Sequence, residues 1–472
     1  MKLVSIAALV LSVCSLNAHA LKTNATWQGT FLSNGERHRM VILAEQPANG
    51  GWIVQSLAVD FLPEAIHIDT ASFQDGRVSV TANAGRAAYE GRLSSDETTL
   101  DGTFTWMKQS VPVKLQRVPN EAAWHTPMDY QYHYKDVTYS RPSPEEPKIP
   151  FAPRLAVDYM EQGAAAWSGE YGCVACHTNG TYMVVRPMMT PSLGTPQQAM
   201  HDFCVTQLKV ALAADPDHRN GTFDGTQAVY IAAGLAIWDA HVTHHLSPET
   251  RQALDLMFQF QRAAGDWFIE DDNNPPFESS PYQVATVAAR AVANAPGWLA
   301  QQRRTPIGAH VELLKHYLRL PQKMQGDYDR VDLLWAASEL PDLLDASQKK
   351  SLIDMILAHQ QFDGGWSMRS FAAPEQWGKG NRAAKLRSEL QFGFPQSDGH
   401  MTGLAIIALR KAGVPSSDPR IQSGVQWLLR NQRVSGRWWT RSLNRDGPQY
   451  ISYSGTVYPL FALQLCNALP TM

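Results

Sequence analysis

The spacing of apolar positions changes period once along the chain. From residue 21 to about 118 they fall in short runs such as Arg39-Met40-Val41-Ile42-Leu43, Trp52-Ile53-Val54, Val78-Ser79-Val80 and Val111-Pro112-Val113-Lys114-Leu115. β-Branched residues dominate these runs, and Asn34-Gly35, Asn49-Gly50-Gly51 and Asp75-Gly76 punctuate them. The pattern predicts short antiparallel strands in a small β barrel or sandwich. Residues 119–153 hold Pro119, Pro127, Pro142, Pro144, Pro147, Pro150 and Pro153, and read as a linker or an extended strap. From 154 to 472 the period is that of helices.

Within the helical part, the string Gln-x-x-x-Gly-x-Trp occurs at Gln261–Trp267, Gln360–Trp366 and Gln432–Trp438. Each copy closes an amphipathic helix: Leu254 to Gln261, Leu352 to Gln361, and Val425 to Gln432. Ser247-Pro248-Glu249 and Asp345 with Gln348 mark two of the helix starts. A helix rich in small apolar residues follows each copy, at Tyr282–Ala295, Met401–Ala412 and Thr456–Leu469, with too little polar face for an exposed position. Such units bury their faces only against one another. A closed array of them is an α/α toroid with inner and outer rings of helices. Gly lets the chain leave the outer helix at positive φ, and the Trp ring covers the helix end. Trp366 and Trp438 are in addition candidates to line a substrate pocket.

Charge and composition narrow the function. The formal net charge of -3 is spread without a basic block, which excludes nucleic acid as the expected partner. Met1-Lys2, an apolar core from Val4 to Leu11 and Ala18-His19-Ala20 have the form of a signal peptide, residues 1–20, cleaved near Ala20. Export to the periplasm is the expectation. No later run approaches 18 apolar residues, so no transmembrane anchor is expected. Cys173, Cys176, Cys204 and Cys466 remain, too few for a disulfide scaffold. The 14 Trp suit deep packing or an apolar cavity.

Two of those cysteines sit in Cys173-Val174-Ala175-Cys176-His177-Thr178. Two thiols at this spacing reach the two vinyl groups on one porphyrin edge, and the adjacent imidazole reaches the iron, so the string predicts covalent haem c with His177 as metal ligand. Met183, Met188, Met189, Met200, His201 and His400 are candidates for the sixth ligand. The repeat extends the argument. Residues between each turn and its inner helix belong at one rim of the ring: Glu278 with Tyr282, Asp398 with His400, and Tyr453 with Tyr458. Cys173–His177, Tyr182 and Asp224 occupy the same slot in earlier units. Asp398, His400 and Glu278 are the candidate catalytic groups, and Tyr182, Asp224, Tyr282 and Tyr453 candidate pocket residues. Asp398 is equally a helix cap by its Ser-Asp-Gly context.

Trp27-Gln28-Gly29-Thr30, Tyr89-Glu90-Gly91-Arg92-Leu93 and Leu100-Asp101-Gly102-Thr103-Phe104 resemble a lipocalin-like β domain, which implies an accessory or binding module over 21–118. The Gln-Gly-Trp turns resemble the QW repeats of squalene–hopene cyclases and prenyltransferase-like toroids. The run Ser397-Asp398-Gly399-His400-Met401-Thr402-Gly403 and the Cys-x-x-Cys-His-Thr followed by Tyr182 and Arg186-Pro187 are similar to exported squalene-cyclase-like proteins. That resemblance covers about 155–466 and implies an apolar, isoprenoid-type small molecule. The Asp-x-Asp-Asp acid motif of class II cyclases is absent, since Glu270-Asp271-Asp272 lacks its spacing. The leading expectation is therefore redox or electron-transfer chemistry at a haem, with an apolar substrate or a periplasmic electron-transfer partner. The alternatives are a haem-free terpenoid cyclase or isomerase, and a non-catalytic binding protein with a Cys173–Cys176 disulfide.

Overall fold

The computed structural model describes residues 24–33, 36–45, 53–58, 68–82, 87–106, 109–119, 132–134, 137–139, 144, 146–213, 225–269, 275–320, 325–380, 383–443 and 451–471. The chain forms two compact units, residues 1–127 and 128–472. The first twenty residues and the Asn34-Gly35 turn lie outside the described ones, as does Asp224.

In the first unit β1 (Asn24–Ser33), β2 (Glu36–Glu45), β3 (Ile53–Ala58), β4 (Ile68–Gln74), β5 (Arg77–Ala82), β6 (Ala87–Leu93), β7 (Thr99–Trp106) and β8 (Gln109–Val118) form one antiparallel sheet, ordered β3-β2-β1-β8-β7-β6-β5-β4. Every connection but β3–β4 joins ladder neighbours, and the first and last strands pair. Trp27 of β1 stacks on Phe73 of β4 at a centroid distance of 6.0 Å, although five ladder steps separate the two strands. The sheet therefore rolls around its own core of Trp27, Phe31, Ile42, Val80, Tyr89 and Leu115. Asp75 and Gly76 turn the β4–β5 hairpin with φ of 52° and 70°, the two positive values that a twisted two-residue loop needs.

The second unit opens with a hairpin of β9 (Tyr132–Tyr134) and β10 (Val137–Tyr139). Helices follow: α1 (Pro153–Tyr171), α2 (Asn179–Val185), α3 (Thr190–Leu193), α4 (Gln198–Ala213), α5 (Gly225–Trp238), α6 (Pro248–Gln259), α7 (Pro281–Asn294), α8 (Trp298–Gln302), α9 (Pro306–Arg319), α10 (Asp327–Glu339), α11 (Ala346–Ala358), α12 (Ala383–Ser388), α13 (Leu390–Gly393), α14 (Gly399–Lys411), α15 (Pro419–Asn431) and α16 (Ile451–Leu465). Six of them form a closed inner ring. α2 packs on α5, α5 on α7, α7 on α10, α10 on α14, α14 on α16, and α16 back on α2. Helices α1, α4, α6, α9, α11 and α15 lie outside, each packed on the ring. The result is an α/α toroid of six helical hairpins. The inner helices are apolar on nearly every side: in α5 all residues but Gln227 are buried. Their starts meet starts and their ends meet ends, so they run parallel. His400 near the start of α14 bonds Tyr328 near the start of α10, while Glu339 at the end of α10 pairs with Lys411 at the end of α14.

The Gln-Gly-Trp turn holds neighbouring outer helices together, three times in the same way. Trp267, Trp366 and Trp438 each donate their indole N–H to a carbonyl ten residues back: Met257, Ile356 and Leu428, all at 2.8 Å. This satisfies one orphan carbonyl at the end of each outer helix. Gln261, Gln360 and Gln432 donate to the Gly carbonyl of their own turn and to a carbonyl of the next outer element: His310, Arg420 and Ala152. The last of these closes the ring onto α1. Gly265, Gly364 and Gly436 have φ of 96°, 93° and 86°, and a Cβ there would lie within 2.9 Å of a backbone oxygen of the next outer helix. Chain turn and close approach thus both require glycine. The proline-rich strap joins the final copy: Ile149 N donates to Gln432 O and Val434 N to Pro147 O, each at 2.9 Å.

Candidate functional site

The N-terminal halves of the inner helices converge on a buried polar cluster. α5 supplies Tyr230, α7 Gln283, α10 Tyr328, Asp329 and Asp332, α14 His400, and α16 Ser454 and Tyr458. Phe277, ahead of α7, sets its ring edge-on to His400 at 5.7 Å. His400 is fully buried; its Nε2 lies 2.9 Å from the Tyr328 hydroxyl and its Nδ1 2.8 Å from Ser454 Oγ. Burial drives its pKa down to about 3, so the ring is neutral at any working pH. Tyr458 packs on the same imidazole at a centroid distance of 5.1 Å.

Asp329 and Asp332, three residues apart, share one face of α10. They are 5% and 9% exposed. Burial pushes Asp329 up to about 7, against the Ser280 hydroxyl, which donates to its Oδ2 at 2.9 Å. Burial pushes Asp332 higher, to about 8; the neighbouring Asp329 adds to the shift, while Arg290 and the Gln283 amide oppose it. Asp332 Oδ2 is buried without a hydrogen-bond partner among the described residues. Tyr458, Tyr230 and Tyr328 hold their protons well above the usual phenol range, by burial first. The cluster is therefore a buried polar layer between the inner helices, with one carboxyl group lacking a partner at one oxygen.

A charge network lies at the other end of the inner helices. Glu339 accepts from Arg290 at 3.1 Å, from Trp335 and Asn294 at 2.9 Å each, and pairs with Lys411 at 3.1 Å. Burial alone would raise Glu339, but Arg290 and Lys411 hold it down to about 2. The Arg290 guanidinium also lies 3.6 Å above the Trp335 ring. This network seals the ring floor with compensated charge.

The expected site residues divide between the two layers. His400 stands in the cluster, and Cys176 and Glu278 are in electrostatic contact with Tyr230 at its edge. Asp398 is the N-cap of α14: its carboxylate accepts from Met401 N at 2.8 Å and Met368 N at 2.7 Å. Burial lifts it to about 6, and it borders a surface recess of about 80 Å³. The other expected pocket residues turn toward the outer helices instead of the rim. Tyr282 donates to Leu318 O, Tyr453 to Met160 O and Tyr182 to Glu161 Oε2. Trp366 and Trp438 cover helix ends, as described above. In each case a buried N–H or O–H finds its acceptor between the layers, so the amphipathic tip decides the direction. Tyr328, Asp329 and Asp332 belong to α9–α10, one of the three hairpins whose turn lacks Gln-Gly-Trp. A search guided by the repeat passes over them; acidic residues inside the apolar run Val331–Ala337 and just before it were the available signal.

The Cys-x-x-Cys-His loop sits at the mouth, between α1 and α2. Asn179 pins it, accepting from Ala175 N at 2.7 Å and donating to Cys173 O at 2.8 Å, while Thr181 Oγ1 donates to Cys176 O at 2.7 Å. Cys173 and Cys176 are thiols with no disulfide between them. His177 packs edge-on against Trp167 of α1 at 4.7 Å, with Nδ1 2.8 Å from Thr178 Oγ1. Two cysteines and an imidazole at this spacing are the donor set that a covalent haem uses. Cys176 is only 5% exposed, and Asn179 and Thr181 hold the loop that carries it. Of the candidate sixth ligands, Met188 lies beside Lys411 at the sealed end, and His201 packs on Trp238 at the end of α5. No cluster of three or more His, Cys, Asp or Glu suited to a bare metal ion occurs among the described residues.

No protein-family model and no curated protein sequence matches the chain. Among solved structures, ent-copalyl diphosphate synthase from Streptomyces platensis is similar at a TM-score of 0.39 and 15% identity over 61% of this chain, and the match spans about half of the synthase, 50% of its length. A protein from Actinoplanes is similar at a TM-score of 0.40 and 11% identity, covering 66% of this chain and 98% of that one.

Proposed function

We propose that the helical ring is an acid–base site for an apolar, unsaturated small molecule of isoprenoid type, with Asp332 as proton donor. The observation that carries this reading is the Asp332 carboxyl group, buried, neutral at neutral pH and unpartnered at Oδ2. A carboxylic acid in such surroundings gives its proton to a carbon–carbon double bond more readily than a solvated carboxylate can. The faces of Tyr230, Tyr328, Tyr458 and Phe277 would stabilise the resulting cation. Loss of a proton elsewhere on the molecule completes an isomerisation or cyclisation. The test is incubation in D2O with squalene and shorter polyprenes, followed by mass analysis. The expected product carries one deuterium and is absent with D332N. Product formation by D332N at the wild-type rate would contradict the assignment.

A second reading is supported by the Cys-x-x-Cys-His spacing of Cys173, Cys176 and His177. Cys173 and Cys176 would hold a haem covalently and His177 would ligate its iron, in an exported protein. The bound group would supply electron transfer or oxidation chemistry to a periplasmic partner or an apolar substrate. Protein produced with its first twenty residues in a haem c-assembling periplasm should then give a pyridine haemochrome spectrum that C176S lacks. A colourless product from that host would exclude it.

A further inference from the structure

Asp329 has no place in the proton donation just described, yet it is buried beside the donor. Its carboxyl oxygen accepts from the Ser280 hydroxyl at 2.9 Å, and Ser280 is the N-cap of α7, half-buried, with its Oγ also accepting from Gln283 N at 3.1 Å. Ser280 is thus the half-buried member of the chain, Asp329 its buried hydrogen-bond partner, and Asp332 lies one helical turn further along the same face of α10. From this order we propose that Asp329 is a proton-relay residue: it returns a proton to Asp332 after each donation and draws its own from solvent past Ser280. The inference rests on Asp332 being the donor.

The step balances without a further reactant. Asp332, left as a carboxylate, receives the Asp329 proton, and Asp329 becomes the carboxylate. Solvent water reaching half-buried Ser280 then reprotonates Asp329, with the Ser280 hydroxyl holding the recipient oxygen in place. A shared location for both carboxyls also means that they do not both ionise easily, so one proton stays in the pair. The levels fit the direction of transfer, since Asp329 titrates near 7 and Asp332 near 8. The other titratable groups facing the pair are Arg290 and Tyr282 of α7, Tyr317 of α9, Tyr328 of α10 itself and Tyr458 of α16. Arg290 is already committed to Glu339, and the buried phenols hold their protons, which leaves Asp329 as the nearby group able to supply a proton near neutral pH.

Hydrogen–deuterium exchange of the Asp332 carboxyl group tests this without any substrate. The protonated-carboxyl band that is missing from D332N identifies the group in infrared spectra of the intact chain, and its shift after rapid dilution into D2O gives the exchange rate. D329N should slow that exchange by at least about tenfold, S280A should slow it less, and D329E should restore much of it. A merely structural role for Asp329 predicts no such rescue pattern. Unchanged exchange in D329N would overturn the relay. If exchange behaves as expected but squalene and other polyprenes gain no deuterium, the relay stands and the acid reading of the site fails.

Discussion

A buried carboxyl group with an oxygen left unsatisfied persists in a fold only by remaining neutral, because a bare charge there costs many kcal/mol. Asp332 meets that condition, and two outcomes follow for D332N. Proton transfer to an alkene should fall by about 10²–10⁴-fold, read as deuterium incorporation. Stability should move the other way with a definite pH dependence. Below about pH 4 both folded and unfolded wild-type chains carry the proton, so the variant gains nothing from the change of charge. As pH rises toward 8 the unfolded wild-type chain ionises while the folded one does not, and wild-type stability is lost progressively. The melting temperature of D332N should therefore exceed that of wild type by more at about pH 8 than at about pH 5. An equal difference at both values would mean that Asp332 is ionised in the fold. Activity should likewise decline as pH rises through about 8. At this scale the sequence revealed His400 and the site-edge positions of Glu278 and Cys176, because they flank recognisable turns. It hid Asp329 and Asp332, since an acid on a helix reads as surface until the ring around it is known.

At the scale of elements, the Gln-Gly-Trp turn was legible because all its parts lie within seven residues. Its mechanical role was not, because the partner of each Gln and Gly belongs to the next outer helix, tens to hundreds of residues away. The α9–α10 hairpin was missed for the complementary reason: it has the helical period without the turn. The role of the glycine can be isolated. Gly364 and Gly413 have nearly the same φ, 93° and 94°, but a Cβ on Gly364 would lie 2.9 Å from Ser423 O whereas one on Gly413 meets nothing within 4 Å. Both Ala variants incur the backbone strain, about 1 kcal/mol. G364A should cost a further 1–3 kcal/mol or so by denaturant titration, from crowding the neighbouring helix. Equal losses would remove helix-to-helix clamping as the reason for that glycine. Trp366 offers a second check: W366F keeps most of the ring but orphans Ile356 O, and should destabilise by about 1–3 kcal/mol.

At the scale of the whole molecule, the change from strand to helical period located the two kinds of structure, and the closed ring of six inner helices gives the helical one its buried core. Ring closure depends on contacts between chain segments far apart. Gln432 accepts from Ala152 N at 2.6 Å and donates to Ala152 O at 3.0 Å, joining the last outer helix to the first. Because the two units have separate cores, thermal unfolding should show two transitions, and Q432A should lower only that of the helical unit. A single transition shifted as a whole would contradict that independence. The proposed chemistry depends on Asp332 being protonated. The most direct measurement is the infrared difference spectrum between wild type and D332N at about pH 6 and about pH 10. A protonated-carboxyl band is expected in wild type at the lower pH, absent from D332N and lost at the higher pH; an ionised Asp332 at about pH 6 would contradict the proton-donor role.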